Sequence, residues 1–140
     1  MLRFSANLSF LFLDRPFLDR FAAAAANGFK AVEFHFPYAF PVDEVVDAAR
    51  RAAVEVVLFN FPAGDWAAGE RGIACLPDRV VEFRDGVALA ARYAEALDCP
   101  RLNCLAGLRG AGHSETALLT TLVDNLRHAA DALAPAGREV

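Results

Sequence analysis

Six side chains along this sequence are of the types that hold small oxygenated molecules: Asn7, His35, Asn60, Asp65, Arg71 and Asn103. Amides, an imidazole, a carboxylate and a guanidinium donate to or accept from hydroxyl, carbonyl and carboxylate oxygens. Brought together, they suit a small polyhydroxylated or keto-acid ligand. Three of them fall in the segment from Phe59 to Ile73, which also holds an indole (Trp66), an adjacent acid and base (Glu70 and Arg71) and three glycines, Gly64, Gly69 and Gly72. That composition is too specific for a plain connector and reads as a shaped wall for a ligand. Within it, Asp65 and Arg71 either bind substrate or clamp the loop to itself, and Trp66 either walls a pocket or covers the end of a sheet.

The elements that must position these groups alternate strand and helix four times. Strands are expected at Phe4–Leu8, Ala31–Phe36, Val54–Asn60 and Leu102–Ala106. A helix from Pro16 to Ala26 opens on proline, stops at Asn27-Gly28 and puts Phe17, Phe21 and Ala24 on one face. A second follows Pro41, with Val42, Val45, Val46 and Ala49 at amphipathic spacing. Asp78 to Leu97 carries Val80, Phe83, Val87, Ala90, Ala94 and Leu97 as its stripe. Ser114 is placed to cap a last helix presenting Leu118, Leu122, Leu126, Ala129 and Leu133. Successive strand–helix units without hairpin signals imply a parallel sheet, either an open doubly wound one or part of a (β/α)8 barrel, and spacing alone does not choose.

Parallel strands covered by helices are apolar on both faces, so polar residues inside them need a reason. In the second strand, alternation sets Val32, Phe34 and Phe36 on one side and Ala31, Glu33 and His35 on the other. Glu33 and His35 then point away from the helices. Glu33 serves either catalysis or structural support, with Arg3 a candidate partner. His35 lines a pocket or is a satisfied core histidine, and the asparagines at strand ends bind ligand or make turns. Gly107 to Gly112 could cradle a phosphate. Its glycine order is not that of the dinucleotide fingerprint, however, and a flexible turn is the simpler reading. His113 and His128 read as loop and solvated helix residues.

The composition narrows the classes. At 140 residues and 56% hydrophobic content the chain has material for one domain's core. A formal net charge of -4 with interspersed signs makes no case for nucleic acid. No apolar run approaches the roughly 20 residues needed to span a bilayer. A cytoplasmic protein working on small molecules is expected. The three cysteines, Cys75, Cys99 and Cys104, form no Cys-x-x-Cys pair and suit a reducing compartment. Cys99 and Cys104, about 16 Å apart if both lie in one strand at roughly 3.3 Å per residue, cannot form a disulfide. All three read as buried small hydrophobes, with Cys104 the candidate exception.

Several stretches together resemble the hydroxypyruvate isomerase family of xylose isomerase-like TIM barrels, which also contains 2-oxo-tetronate isomerases. They are Ala6-Asn7-Leu8-Ser9, Gly28 to Phe34 with Phe36-Pro37-Tyr38, Asn60 to Cys75, and Arg101 to Gly107. The run Gly64-Asp65-Trp66-Ala67-Ala68-Gly69-Glu70-Arg71-Gly72 is the most specific of them. The resemblance implies an α/β fold of (β/α)8 TIM-barrel type, of which this chain covers about four βα units. It implies isomerisation of hydroxypyruvate to tartronate semialdehyde through an enediolate. Two glutamates and a divalent metal, Mg²⁺ or Mn²⁺, would be supplied by the second half of the barrel. The first of those glutamates would come a few residues past Val140, so no catalytic or metal residue transfers onto this chain and Glu139 falls too early to be one. What these units offer is a substrate wall: Asn7, His35, Asn60, Asp65, Arg71 and Asn103. The expectation is therefore a half-barrel, truncated before a fifth strand, inactive alone and prone to pair its open edges in a homo-oligomer. A free-standing α/β module binding a small phosphorylated or polyhydroxylated ligand is the alternative.

Overall fold

The structure is a computed structural model that describes residues 2–109 and 112–140. Its elements run β1 (Ser5–Asn7), α1 (Asp19–Ala26), β2 (Ala31–Phe34), α2 (Val42–Ala52), β3 (Glu55–Asn60), α3 (Val80–Leu97), β4 (Leu102–Asn103) and α4 (Glu115–Leu133), with 3-10 turns at Pro77–Arg79 and Ala134–Ala136. All strand pairs are parallel and their spatial order is β1-β2-β3-β4. A doubly wound sheet reverses its strand order at a switch point. This sheet does not reverse, and α1 to α4 pack on one another in sequence. The arrangement is an arc of barrel with four βα units. Beyond β4, Glu139 adds one parallel bridge to Arg101, its N–H donating to the Pro100 carbonyl and its own carbonyl accepting from Leu102, both at 2.9 Å.

The two faces of the sheet differ as side-chain alternation requires. Ala6, Leu8, Val32, Phe34, Val56, Phe59 and Leu102 are buried under the helices, where they meet Phe21, Val45, Val87 and Ala94. Phe34 stacks on Phe59 at 5.9 Å between ring centroids, and Phe17 meets Phe34 edge-on at 5.3 Å. Each such ring contributes about 1.5–3 kcal/mol by leaving water. Ser5, Asn7, Glu33, Leu58 and Asn103 lie on the other, concave side. β3 carries an irregularity there: Val32 pairs with Val56 but Glu33 with Leu58, so one extra residue of β3 is accommodated.

Several expected boundaries are corrected. β1 starts at Ser5, leaving Phe4 70% exposed. β2 stops at Phe34, so His35 and Phe36 leave the strand and do not continue its alternation. β4 stops at Asn103, because Ala106 is taken into an antiparallel bridge with Gly72 of the long loop. Pro16 to Leu18 form a turn ahead of α1, Asp19 N–H donating to the Pro16 carbonyl. The cap on α4 is as expected: Ser114 Oγ accepts from Ala117 N–H at 3.2 Å. Of the Gly107–Gly112 turn, Gly110 and Ala111 lie outside the described residues.

Candidate active-site wall

Strand register delivers the polar residues in neighbouring pairs. Asn7 is in register with Glu33, and Asn60 with Asn103. On the concave face each pair touches: Asn7 Nδ2 donates to Glu33 Oε1 at 3.0 Å, and Asn103 Nδ2 donates to Asn60 Oδ1 at 3.1 Å. Ser5 Oγ donates to the second Glu33 oxygen at 2.9 Å. Ser9 joins the pairs, its N–H donating to Asn7 Oδ1 at 3.0 Å and its Oγ accepting from His35 N–H at 2.8 Å. The His35 carbonyl accepts from Asn60 N–H at 2.9 Å. Tyr38 OH donates to the Asn60 carbonyl at 2.6 Å, and burial, with Tyr93 and Cys99 adding to it, pushes that phenol well above its ordinary range. Side chains and main chain thus form one hydrogen-bonded run from Ser5 to Asn103.

Of these groups Asn7, Glu33, His35, Asn60 and Asn103 line a cavity of about 260 Å³ at the carboxyl ends of the strands, walled also by Leu58, Leu105 and Trp66. Two larger concavities, about 620 and 800 Å³, open at the amino ends of the strands. Their paired polar side chains are ion pairs, Arg3 with Glu55 and Arg138 with Asp98, and in α/β folds the chemistry sits at the carboxyl end. The smaller cavity is therefore the candidate site. In it the Asn60–Asn103 bond uses one acceptor and one donor, leaving the NH2 of Asn60 and the carbonyl oxygen of Asn103 as one donor and one acceptor. Flipping both amides leaves the same complement, so the conclusion does not depend on how either is oriented.

The rim is aromatic. The His35 ring meets Phe10 edge-on at 5.0 Å and Trp66 at 5.7 Å, and Trp66 meets Phe36 at 5.1 Å. The Arg71 guanidinium lies 4.0 Å from the Trp66 ring centroid, a cation–π stack. Arg71 also donates to the main-chain oxygens of Trp66 at 3.2 Å and Glu70 at 2.6 Å.

The loop carrying Trp66 is held by its own polar groups and by three neighbours, Arg79, Ala106 and Asn125. Asp65 Oδ1 accepts from Ala68 N–H at 2.9 Å, and its carbonyl accepts from Glu70 N–H at 3.0 Å. The Glu70 carboxylate accepts from Asp65 N–H and from Arg79, which also pairs with Glu82. The Arg79 hydrogen bonds, then that of the Asp65 amide, hold the Glu70 carboxyl below its ordinary range, and Arg79 does the same to Glu82. Farther along, Cys75 N–H donates to the Ala106 carbonyl at 2.8 Å, beside the Gly72–Ala106 bridge. Asn125 of α4 donates to the Ala74 carbonyl at 2.9 Å.

A family model for the xylose isomerase-like TIM barrel matches residues 21–140. The chain belongs to the xylose isomerase-like TIM barrel family. It is 56% identical over 133 residues to hydroxypyruvate isomerase of Escherichia coli, a match covering 95% of this chain and 52% of that protein. To 2-oxo-tetronate isomerase of Pectobacterium atrosepticum it is 46% identical over 137 residues, covering 98% of this chain and 52% of the relative. The solved structure of an AP endonuclease, family 2, protein from Brucella melitensis superposes with a TM-score of 0.94 at 48% identity, across 99% of this chain and 53% of that one. D-allulose 3-epimerase from Methylomonas sp., at 18% identity and a TM-score of 0.72, shares the fold. The chain spans about half the length of the curated relatives it matches.

Within this TIM-barrel arc, Asn7, His35, Asn60 and Asn103 converge on the cavity. Asp65 and Arg71 are not among its lining residues. Asp65 is exposed and engaged within the loop, and Arg71 reaches the cavity's edge through the Trp66 ring. Glu33 does line the cavity, yet its partners are Ser5 and Asn7, whereas the expected partner Arg3 pairs with Glu55 at 3.3 Å on the exterior. Glu70 and Arg71 do not pair through their side chains, since the Glu70 carboxylate turns to Arg79. Val140, the position past which the resemblance puts the catalytic glutamates, is itself no part of the site. It follows the Glu139 bridge to Arg101, is 43% exposed and does not line the cavity. Ser9 and Tyr38 carry the resemblance but were given no place in the site, and that of Ser9 could have been found from its position two residues after Asn7, where a main-chain N–H commonly bonds back to an asparagine. The residues present do not fit the divalent metal that the resemblance implies. Among the described residues no three His, Cys, Asp or Glu side chains come together to hold one.

Proposed function

We propose that this chain forms the substrate wall of a keto-acid isomerase that interconverts hydroxypyruvate and tartronate semialdehyde. The observation that carries the reading is the Asn60–Asn103 pair in register at the carboxyl ends of β3 and β4, presenting one donor and one acceptor to a cavity of about 260 Å³. An α-hydroxy ketone offers a hydroxyl on one carbon and a carbonyl on the next, and isomerisation exchanges them. A wall with one donor and one acceptor serves both sides of that exchange, and the enediolate between them. Relatives bearing the names hydroxypyruvate isomerase and 2-oxo-tetronate isomerase support the substrate class.

In this reading Asn7 and His35 complete the wall, while Arg71, stacked on Trp66, provides positive charge at the rim for the substrate carboxylate. Asp65 shapes the loop from which both project. The proton leaves C3 and is returned at C2, and the acid–base groups and any divalent metal are supplied by residues outside these four units. Hydroxypyruvate isomerisation is measured for this chain with and without Mg²⁺ or Mn²⁺, beside a longer chain completing eight βα units. Turnover only by the longer chain is the expected result. Turnover by this chain alone would assign the chemistry to Glu33, His35 or Asp65 and overturn the division of labour.

A further inference from the structure

The cavity wall holds a single carboxylate, Glu33, and no lysine or arginine among its lining residues. Both of its oxygens accept hydrogen bonds, from Ser5 and from Asn7. Those neutral donors fix the carboxylate in place without cancelling its charge. Arg71 brings a positive charge to the cavity's edge, 4.0 Å from the ring centroid of the lining residue Trp66, which in turn meets the His35 ring at 5.7 Å. A negative floor and a cationic rim give the cavity a direction.

We infer that the cavity selects monoanionic ligands and fixes their polarity, with Glu33 receiving the neutral hydroxyl end and the single carboxylate turned to the His35–Trp66 rim. The inference rests on the cavity being the substrate wall and adds to that reading an exclusion: a ligand with carboxylates at both ends must set one against Glu33. Like charges within a few ångströms in a partly desolvated wall repel strongly, whereas a hydroxyl at the same point donates a hydrogen bond to the carboxylate. Glu33 is thus a specificity-determining residue, acting by repulsion as much as by attraction.

The test uses two probes with three carbons each, glycerate with one carboxylate and tartronate with two, and reads the fluorescence of Trp66, the sole tryptophan of the chain. The expected result is glycerate binding at least about tenfold more tightly than tartronate, as repulsion at this range implies. Glu33→Gln keeps an acceptor for Asn7 and removes the charge, so the ratio should fall to within about threefold. Should that variant fail to fold, the unaltered chain supplies a second measurement. Raising ionic strength from about 0.01 M to about 1 M shortens the screening length from about 30 Å to about 3 Å, and the ratio should narrow with it. Equal binding of both probes by the unaltered chain overturns the inference while leaving the substrate wall standing. So does a ratio that neither Glu33→Gln nor salt changes. Saturable binding of neither probe overturns the substrate-wall reading and this inference together.

Discussion

Replacing Gly72 by alanine should unfasten the long loop from the end of β4. Gly72 has φ of +110°, and a Cβ built there would sit 2.1 Å from the Leu105 carbonyl oxygen, a main-chain atom that cannot rotate away. Gly69 is the matched control, with φ of +97° and nothing within 4 Å of its Cβ position. Both substitutions force an L-residue into a backbone region costing on the order of 1–3 kcal/mol, partly offset by about 0.4–1 kcal/mol from a stiffer unfolded chain. Gly69→Ala should therefore cost about 1 kcal/mol. Gly72→Ala must in addition push the loop away from the Leu105–Ala106 segment, the strap between loop and β4, by roughly 1 Å. That movement breaks the Gly72–Ala106 bridge and endangers the bonds from Gly72 N–H to Ala63 and from Cys75 N–H to Ala106. Two such bonds at about 1 kcal/mol each bring the loss to about 3–4 kcal/mol, a large share of a small domain's stability. Urea unfolding followed by far-ultraviolet circular dichroism measures both variants. A Gly72→Ala loss within about 0.5 kcal/mol of the Gly69→Ala loss, on the order of the error of the method, would refute the strap.

Three further outcomes are expected. The Glu70 and Glu82 carboxyls are held below their ordinary value of 4.5, so the stability they lend is present above that value and lost as pH falls through their folded-state values. An acid titration of Trp66 fluorescence should show a transition below pH 4.5 that Glu70→Gln removes, and an unchanged curve in the variant would sink the clamp. Burial pushes the Cys99 and Cys104 thiols up to about 11, so both should react slowly with an aromatic disulfide reagent in the native chain near neutral pH and promptly in urea; fast native labelling of either contradicts the burial. In a chain completing eight βα units, Arg71→Ala should lower kcat/KM for hydroxypyruvate about tenfold to a hundredfold, the range for a hydrogen bond to a charged group, and an unchanged kcat/KM would end its substrate role.

Much of the scaffold was legible because periodicity is set by burial. The stripe of α3 lies where the spacing of Phe83, Val87, Ala90 and Ala94 puts it, and alternation in β2 correctly turned Glu33 away from the helices. What resisted reading was set by tertiary contact. The β2 alternation could not be extended to Phe36, because the chain bends at His35, where Ser9 takes the main-chain N–H. The partner of Glu70 is nine residues away, at the end of a 3-10 turn, while the tempting partner Arg71 is adjacent. Asn125 is fully buried seven residues after Leu118, on the stripe that otherwise reads as leucine and alanine. That spacing was a usable signal: an amide at a heptad position of a buried face must find a buried partner, and here it is the Ala74 carbonyl of the long loop.

The long loop leaves β3, yet it is fastened to the other elements around it. Arg79 ties Glu70 to the start of α3, Asn125 ties Ala74 to α4, and Ala106 ties Gly72 and Cys75 to the extension of β4. Gly107, with φ of +114°, lets the two chains approach until its Cβ position is 2.8 Å from the Gly72 carbonyl oxygen. A loop attached at one strand only would have to order itself when a ligand arrives, at a cost of about 1–2 kcal/mol for each residue fixed. These ties incur that cost during folding, so the fold itself holds Trp66, with Arg71 stacked on it, against the His35 ring. The rim is consequently controlled from outside the cavity. Removing the Arg79 charge would loosen Trp66 without altering an atom of the polar floor, which separates residues that recognise a ligand from those that hold the recogniser still.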